Sequence, residues 1–221
     1  LGTVNYRFGT FMAYGDWFSI DIKGVGGHAS APERVGSPIR LGTHFLAEMI
    51  NVAKALSRKG EKAVATVTEF QSGNTVNVIP ATARLRGTIR ATNDAVRTEL
   101  ISGLHEIIEL DHRDMQAYLE IMQGYPAVIA DDQALQDLIS LLEAGTLAES
   151  LVRMPEPSMV IEDYSYFLQK WPGAMVYVGA QAEANPSFNH SADARFHEEA
   201  MDTAFTVFRT IVDAAPRART G

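Results

Sequence analysis

The amino-acid sequence predicts an α+β fold whose first large part is a ferredoxin-like, four-stranded antiparallel sheet with both helices on one face. Three observations point there. Four runs between residues 16 and 125 carry the β-branched, aromatic and alternating pattern of half-buried strands. Two stretches between them place apolar residues at the spacing of amphipathic helices. Their order is strand, helix, strand, strand, helix, strand, the split pattern that closes such a sheet.

The first strand is "DWFSIDIK", residues 16–23, ended by Gly24, Gly26 and Gly27. A helix follows over residues 37–57, where Ile39, Leu41, Phe45, Leu46, Met49, Ile50, Ala53 and Leu56 make the apolar stripe. Pro38 suits its first turn and Gly60 lies just past its end. Residues 63–71 and 84–91 are the next two strands, joined through Gly73, Asn74 and Pro80. Thr92 or Asn93 caps a second helix running to about His112, and a last strand spans residues 115–123.

After Pro126 the character changes. Residues 131–144 and 197–214 read as amphipathic helices, 162–169 as a short one, and 174–179 as a buried strand. One strand with three helices cannot close a layered domain, because a strand needs neighbours on its edges. This part therefore reads as half of a domain, with its strand buried against another molecule or partly disordered. Residues 216–221 read as a loose tail.

Composition narrows the function classes. A formal net charge of -8 over 221 residues, with no cluster of Lys and Arg, argues against a nucleic-acid partner. No apolar run approaches the roughly 20 residues of a membrane-spanning helix, and residues 1–7 do not read as a secretory signal. With no cysteine, a metal would have to rest on His, Asp and Glu, and a reducing cytoplasm is the expected compartment.

Three groups of residues could carry chemistry. His28 stands in "GVGGHASAPE", where small neighbours let backbone approach a ligand and an imidazole could donate to developing negative charge. A loop histidine that only closes a turn is the plainer alternative. Asn77 in "NVIP" and Arg90 in "GTIR" could join His28 in a clamp for a carboxylate or amide. Taken singly, they read as a turn amide and a solvated strand end. His190, in a polar loop, suits metal ligation but cannot hold a metal alone. Glu162 and Asp163 read first as a helix cap. His197 reads as surface, and His44, His105 and His112 show no partner.

Five strings act together: "GVGGHASAP", "GNTVNVIP", "LRGTIR", "EDYSYFLQKWPGAMVYVG" and "HSADARFHEEAM". In order and spacing they resemble the M20 metallopeptidase family, most closely its hippurate hydrolase and N-acyl-amino-acid amidohydrolase branch. The resemblance implies a ferredoxin-like lid and dimerisation domain, residues 16–125, inserted in an α/β catalytic domain. Residues 1–15 would end that domain's first segment and 126–221 would form its C-terminal segment. It further implies two divalent metal ions, zinc or manganese, and amide hydrolysis of N-acyl or N-aroyl amino acids by a homodimer paired through the lid. His28 would be the catalytic lid histidine that polarises the scissile carbonyl across the dimer. Asn77 and Arg90 would bind substrate, and His190 would be the last metal ligand.

Some features of that family pattern have no counterpart in the chain. The upstream ligand cluster, the adjacent glutamate pair with its general base, and a further histidine ahead of "GTVNYRFGT" are absent, and Glu33 stands where many relatives have a histidine. The expectation is a truncated chain that is inactive and holds no metal alone. A dimerisation or binding module without chemistry is the alternative. A ferredoxin-like regulatory domain would explain residues 16–125 but not the string around His190.

Overall fold

The structure, a computed structural model, describes residues 1–58, 61–109, 114–181 and 190–215. In chain order its elements begin with β1 (Val4–Tyr6), β2 (Thr10–Met12), β3 (Tyr14–Lys23), β4 (Gly27–His28) and α1 (Pro38–Arg58). Then come β5 (Ala63–Ser72), β6 (Val78–Ile79), β7 (Thr82–Ala91), α2 (Asp94–Ile108) and β8 (Gln116–Tyr125). The remainder is β9 (Val128–Ile129), α3 (Asp132–Glu143), β10 (Leu151–Arg153), α4 (Ser165–Leu168), β11 (Tyr177–Val178) and α5 (Ala200–Ala214). The chain divides into two compact units, one built from Met12–Ala127 with Met159–Asp163, the other from Leu1–Phe11, Val128–Ser158 and Tyr164–Gly221.

The first unit holds the four-stranded sheet in the order β5-β7-β3-β8, antiparallel at every pairing. Counted among these four strands the order is second, third, first, fourth, which is the ferredoxin-like topology that the sequence pattern predicts. Beneath one face lies a single core in which Phe18, Ile20, Phe45, Leu85, Ile89, Leu100 and Leu104 are fully buried. Strand β7 shows why the alternation was readable: Ala83, Leu85, Gly87 and Ile89 point inward while Thr82, Arg84 and Arg86 face solvent. Asn93 caps α2 by accepting the Val96 N–H at 2.9 Å. The helix ends at Ile108 rather than near His112, which lies outside the described residues, as do residues 216–221.

Gly87 is set by packing. A Cβ there would lie 2.0 Å from the Thr66 carbonyl oxygen and 2.6 Å from Phe18 Cζ, at the level where β5 bulges between Val67 and Glu69. Only a residue without a side chain lets the bulged edge strand stay paired there.

The second unit corrects the reading of an orphan strand. The expected strand over 174–179 shortens to β11, which is half-buried and pairs antiparallel with β1, while β10 pairs parallel with β1 on the other side. Its neighbours are three-residue strands, too short to show a two-residue period, and β1 lies in the first few residues of the chain. A second small sheet joins β2 to β9. Helix α3 begins after Asp131, whose carboxylate accepts the Ala134 N–H at 2.8 Å. Helix α5 starts at Ala200 instead of His197. The short helix over 162–169 contracts to α4, and neither Glu162 nor Asp163 caps it, since its N-cap is Tyr164 without a side-chain bond. Among the described residues, no helix is long and apolar enough to cross a membrane.

Candidate functional site

Past the end of β3 the chain turns back as a narrow ribbon in which Gly27 and His28 pair antiparallel with Ile79 and Val78. Gly26 has φ +72°, and a Cβ there would press to 3.0 Å from the Ile79 carbonyl oxygen, so glycine permits the tight approach of the two strands. The Ala29 N–H donates to the Asn77 carbonyl at 3.0 Å, which places Asn77 beside His28 at the ribbon's tip. Both residues are exposed.

The imidazole of His28 is oriented by Ser30. Its Nδ1 accepts the Ser30 backbone N–H at 3.2 Å and lies 2.7 Å from Ser30 Oγ. A nitrogen that accepts a backbone N–H carries no proton, so in the neutral ring the proton sits on Nε2. Among the described residues Nε2–H meets no partner. Asn77 Oδ1 is held by the Thr75 hydroxyl at 3.1 Å, so part of this amide does tie down its own turn.

Arg90 is elsewhere. It pairs with Gly15 and Val64 near the opposite end of the sheet, whereas Thr82 pairs with Lys23 at the end from which the His28 ribbon departs. The eight residue steps from Thr82 to Arg90 separate those ends by about 27 Å at the rise of an extended strand. One copy of the chain therefore brings His28 and Asn77 together and does not bring Arg90 to them.

The Arg90 guanidinium is half-buried rather than solvated. Burial lowers its pKa, opposed by the field of Asp16. Its Nη1 donates to the Ile89 carbonyl at 2.9 Å and to Thr88 Oγ1. No carboxylate among the described residues pairs with it. The nearby acid, Asp16, is only 2% exposed and is consumed elsewhere. It accepts both Nε and Nη2 of Arg97, at 2.7 and 2.9 Å, and the Gly124 N–H at 3.1 Å. That hydrogen-bonded pairing raises the Arg97 pKa. The sequence reading passed over Asp16, Arg97, Thr88 and Ser30. A charged residue in phase with Phe18, Ile20 and Ile22, on the inward side of the strand's alternation, was the one signal available for Asp16.

His190 is exposed with φ 70°, the one non-glycine residue in the left-handed region among those described. Among the described residues no three His, Asp or Glu side chains converge as a metal site. The donor set among the described residues does not fit a dinuclear metal centre. His197 is partly covered, with its N–H on the Ala180 carbonyl, and His44 and His105 are exposed on α1 and α2.

Comparison with known proteins agrees with the motifs. Residues 15–115 match the M20 peptidase dimerisation domain. An N-acetyl-L-cysteine deacetylase of Bacillus subtilis is 28% identical over 185 residues, covering 83% of this chain and 44% of the relative. An N-acetyldiaminopimelate deacetylase of Anoxybacillus flavithermus is 28% identical over 215 residues, covering 96% and 55%. The chain thus spans about half the length of the curated relatives it matches. A Bacillus subtilis structure described as a dinuclear metal binding peptidase from the M20 family superposes with TM-score 0.68 at 23% identity, over 97% of this chain and 55% of that one. That likeness concerns the fold. Residues 15–115 are an M20-family peptidase dimerisation domain, in a chain whose relatives are amidohydrolases and peptidases of that family.

Proposed function

We propose that the chain serves hydrolysis of the amide bond of N-acyl or N-aroyl amino acids, with His28 and Asn77 of one copy completing a site in a second copy. The observation that carries this reading is the His28 imidazole, whose Nδ1 is committed to Ser30 and whose Nε2–H is free at an exposed tip. A donor held in this way stabilises negative charge developing on a carbonyl oxygen without reorganising during the reaction. The Asn77 side-chain N–H₂ is a second donor at the same tip. Arg90, about 27 Å away along the same sheet, acts on the substrate carboxylate in its own copy's site. The distance supports a homodimer, since one copy cannot close the site by itself.

In the relatives' family the water-activating chemistry belongs to divalent metals, zinc or manganese. The resemblance gives His190 as a metal ligand, and among the described residues no three His, Asp or Glu side chains converge on a metal site, so the roles assigned to the chain are those of its own side chains. On this reading the chain alone neither retains metal nor turns over substrate. A second reading, a dimerisation and binding module without chemistry of its own, is favoured by the lack of converging ligands among the described residues.

The test is metal content after dialysis against zinc or manganese and then buffer, with hydrolysis of N-benzoylglycine and sedimentation measured on the same sample. A dimer without metal or turnover, which gains turnover when mixed with a metal-loaded relative whose own lid histidine is mutated, supports the first reading. His28→Ala should abolish that gain by roughly 10²-fold or more. A dimer that never complements leaves the module reading. Near-stoichiometric metal with turnover by the chain alone contradicts the ligand argument for both.

A further inference from the structure

Thr88 sits between two fixed groups. Its hydroxyl donates to the Asp16 carbonyl at 3.1 Å, which uses its single proton, so toward Arg90 the oxygen can only accept. Nη1 of Arg90 donates to that oxygen and to the Ile89 carbonyl, and both Nη1 protons are thereby used. Nε and Nη2 have no partner among the described residues. These two nitrogens form the side-on edge of the guanidinium, the pair that matches the two oxygens of a carboxylate.

The floor beneath the group is equally fixed. A Cβ at Gly15 would come 2.8 Å from Arg90 Nη1 and 2.4 Å from Ile161 Cγ2, so the space the guanidinium uses exists only because residue 15 lacks a side chain. Asp16, whose carbonyl anchors Thr88, is itself immobilised by its two bonds to Arg97 and the one from Gly124. The chain of contacts runs from a buried ion pair, through one backbone carbonyl and one hydroxyl, to the orientation of Arg90.

We infer that Thr88 is a positioning residue that pins Nη1 of Arg90 and presents the Nε/Nη2 edge to one planar carboxylate, making the site selective for acyl amino acids with a free carboxylate over their amides. This rests on the reading of Arg90 as the substrate-carboxylate partner. The edge is prepared before any ligand arrives, so little rotamer freedom is lost on binding.

The experiment titrates the full chain with N-benzoylglycine and, separately, with uncharged N-benzoylglycinamide, following the Arg90 Nε–H resonance and the dissociation constants by NMR. Wild type is expected to prefer the carboxylate. Thr88→Val should weaken N-benzoylglycine binding roughly tenfold while leaving the amide unchanged, and Thr88→Ser should restore the preference. Arg90→Ala should remove it altogether. A Thr88→Val chain with wild-type preference, alongside an Arg90→Ala chain without it, overturns the anchoring role and leaves the Arg90 reading intact. Equal weakening of both ligands in Thr88→Val makes Thr88 merely structural and also overturns it. A wild-type chain with no preference for the carboxylate overturns the Arg90 reading and the inference with it.

Discussion

The two units of the chain bury their apolar side chains to different degrees. In the lid, each of whose four strands is ten residues long, two helices and the sheet enclose one continuous core that includes Phe18, Phe45, Leu85 and Leu100. In the other unit the buried clusters are small, such as Val4 with Leu142, Leu147 and Val207. Along α5 there, Met201, Phe205, Phe208 and Val212 lie on one helical stripe, with Phe205 66% and Phe208 69% exposed. Among the described residues the lid's most exposed apolar side chains, Val25 and Val76, lie in loops, whereas the second unit leaves a helical stripe uncovered. Length of strand is the physical difference: long, fully paired strands give a face broad enough for helices to cover, and two- or three-residue strands do not.

Mutations can break this contrast, and the largest effect belongs to the lid core. Leu100→Ala or Phe18→Ala should cost about 3–5 kcal/mol, because each empties a fully buried site that a close-packed core cannot collapse around. Hydrogen exchange on the whole chain would show the loss in β3, β7 and α2. Phe205→Ser and Phe208→Ser should change the unfolding free energy by no more than about 0.5 kcal/mol while reducing binding of a hydrophobic dye. A large loss of stability from either serine variant would mean that the α5 stripe is packed in solution and would erase the contrast.

A second effect sharpens the comparison from the polar side. Asp16→Ala removes the buried carboxylate that accepts from the Arg97 guanidinium and the Gly124 N–H, and should destabilise the lid by about 3 kcal/mol. The readout is a urea midpoint measured with Arg97→Met and the double variant, since the double substitution removes the stranded charge and should recover part of the loss. Full additivity of the two single effects would show that the pair is not coupled.

The smallest effect is a pH dependence. Burial, helped by the charge of Asp94 and opposed by Arg97, raises the Tyr14 phenol above its ordinary value near 10. The folded chain then holds that proton more tightly than the unfolded chain. Above about pH 10 the unfolded state binds fewer protons, so stability falls as pH rises until the folded group also ionises. Tyr14→Phe should flatten the urea midpoint between pH 9 and 11 relative to wild type, and an unchanged slope would remove Tyr14 as its source.

Much of the lid was legible because its signals are local and repeat. Alternation over ten residues in β7, a helical stripe through Leu41, Phe45 and Met49, and an Asn cap before Val96 each declare their element without knowledge of the rest. The ends were less legible: α2 stops before His112, and α5 begins three residues after His197. Strands β1 and β10 were missed, because three residues carry no period. Of the residues singled out for chemistry, His28 and Asn77 do lie together, as the loop chemistry of "GVGGHASAPE" and "GNTVNVIP" allows.

What the sequence alone determined is the order of elements in the lid, the class of the sheet and the identity of the side chains able to donate, accept or hold charge. Residue type and period settle these, since they depend on neighbours within one or two turns of chain. Which nitrogen of His28 is free, how far Arg90 lies from it, and which edge of the guanidinium is open were decided only by the tertiary structure. Each depends on a partner that folding brings close across the sheet or the loop: the Ser30 N–H beside Nδ1, the Asp16 carbonyl beneath Thr88, and the eight steps of β7 that keep two ends of one sheet apart.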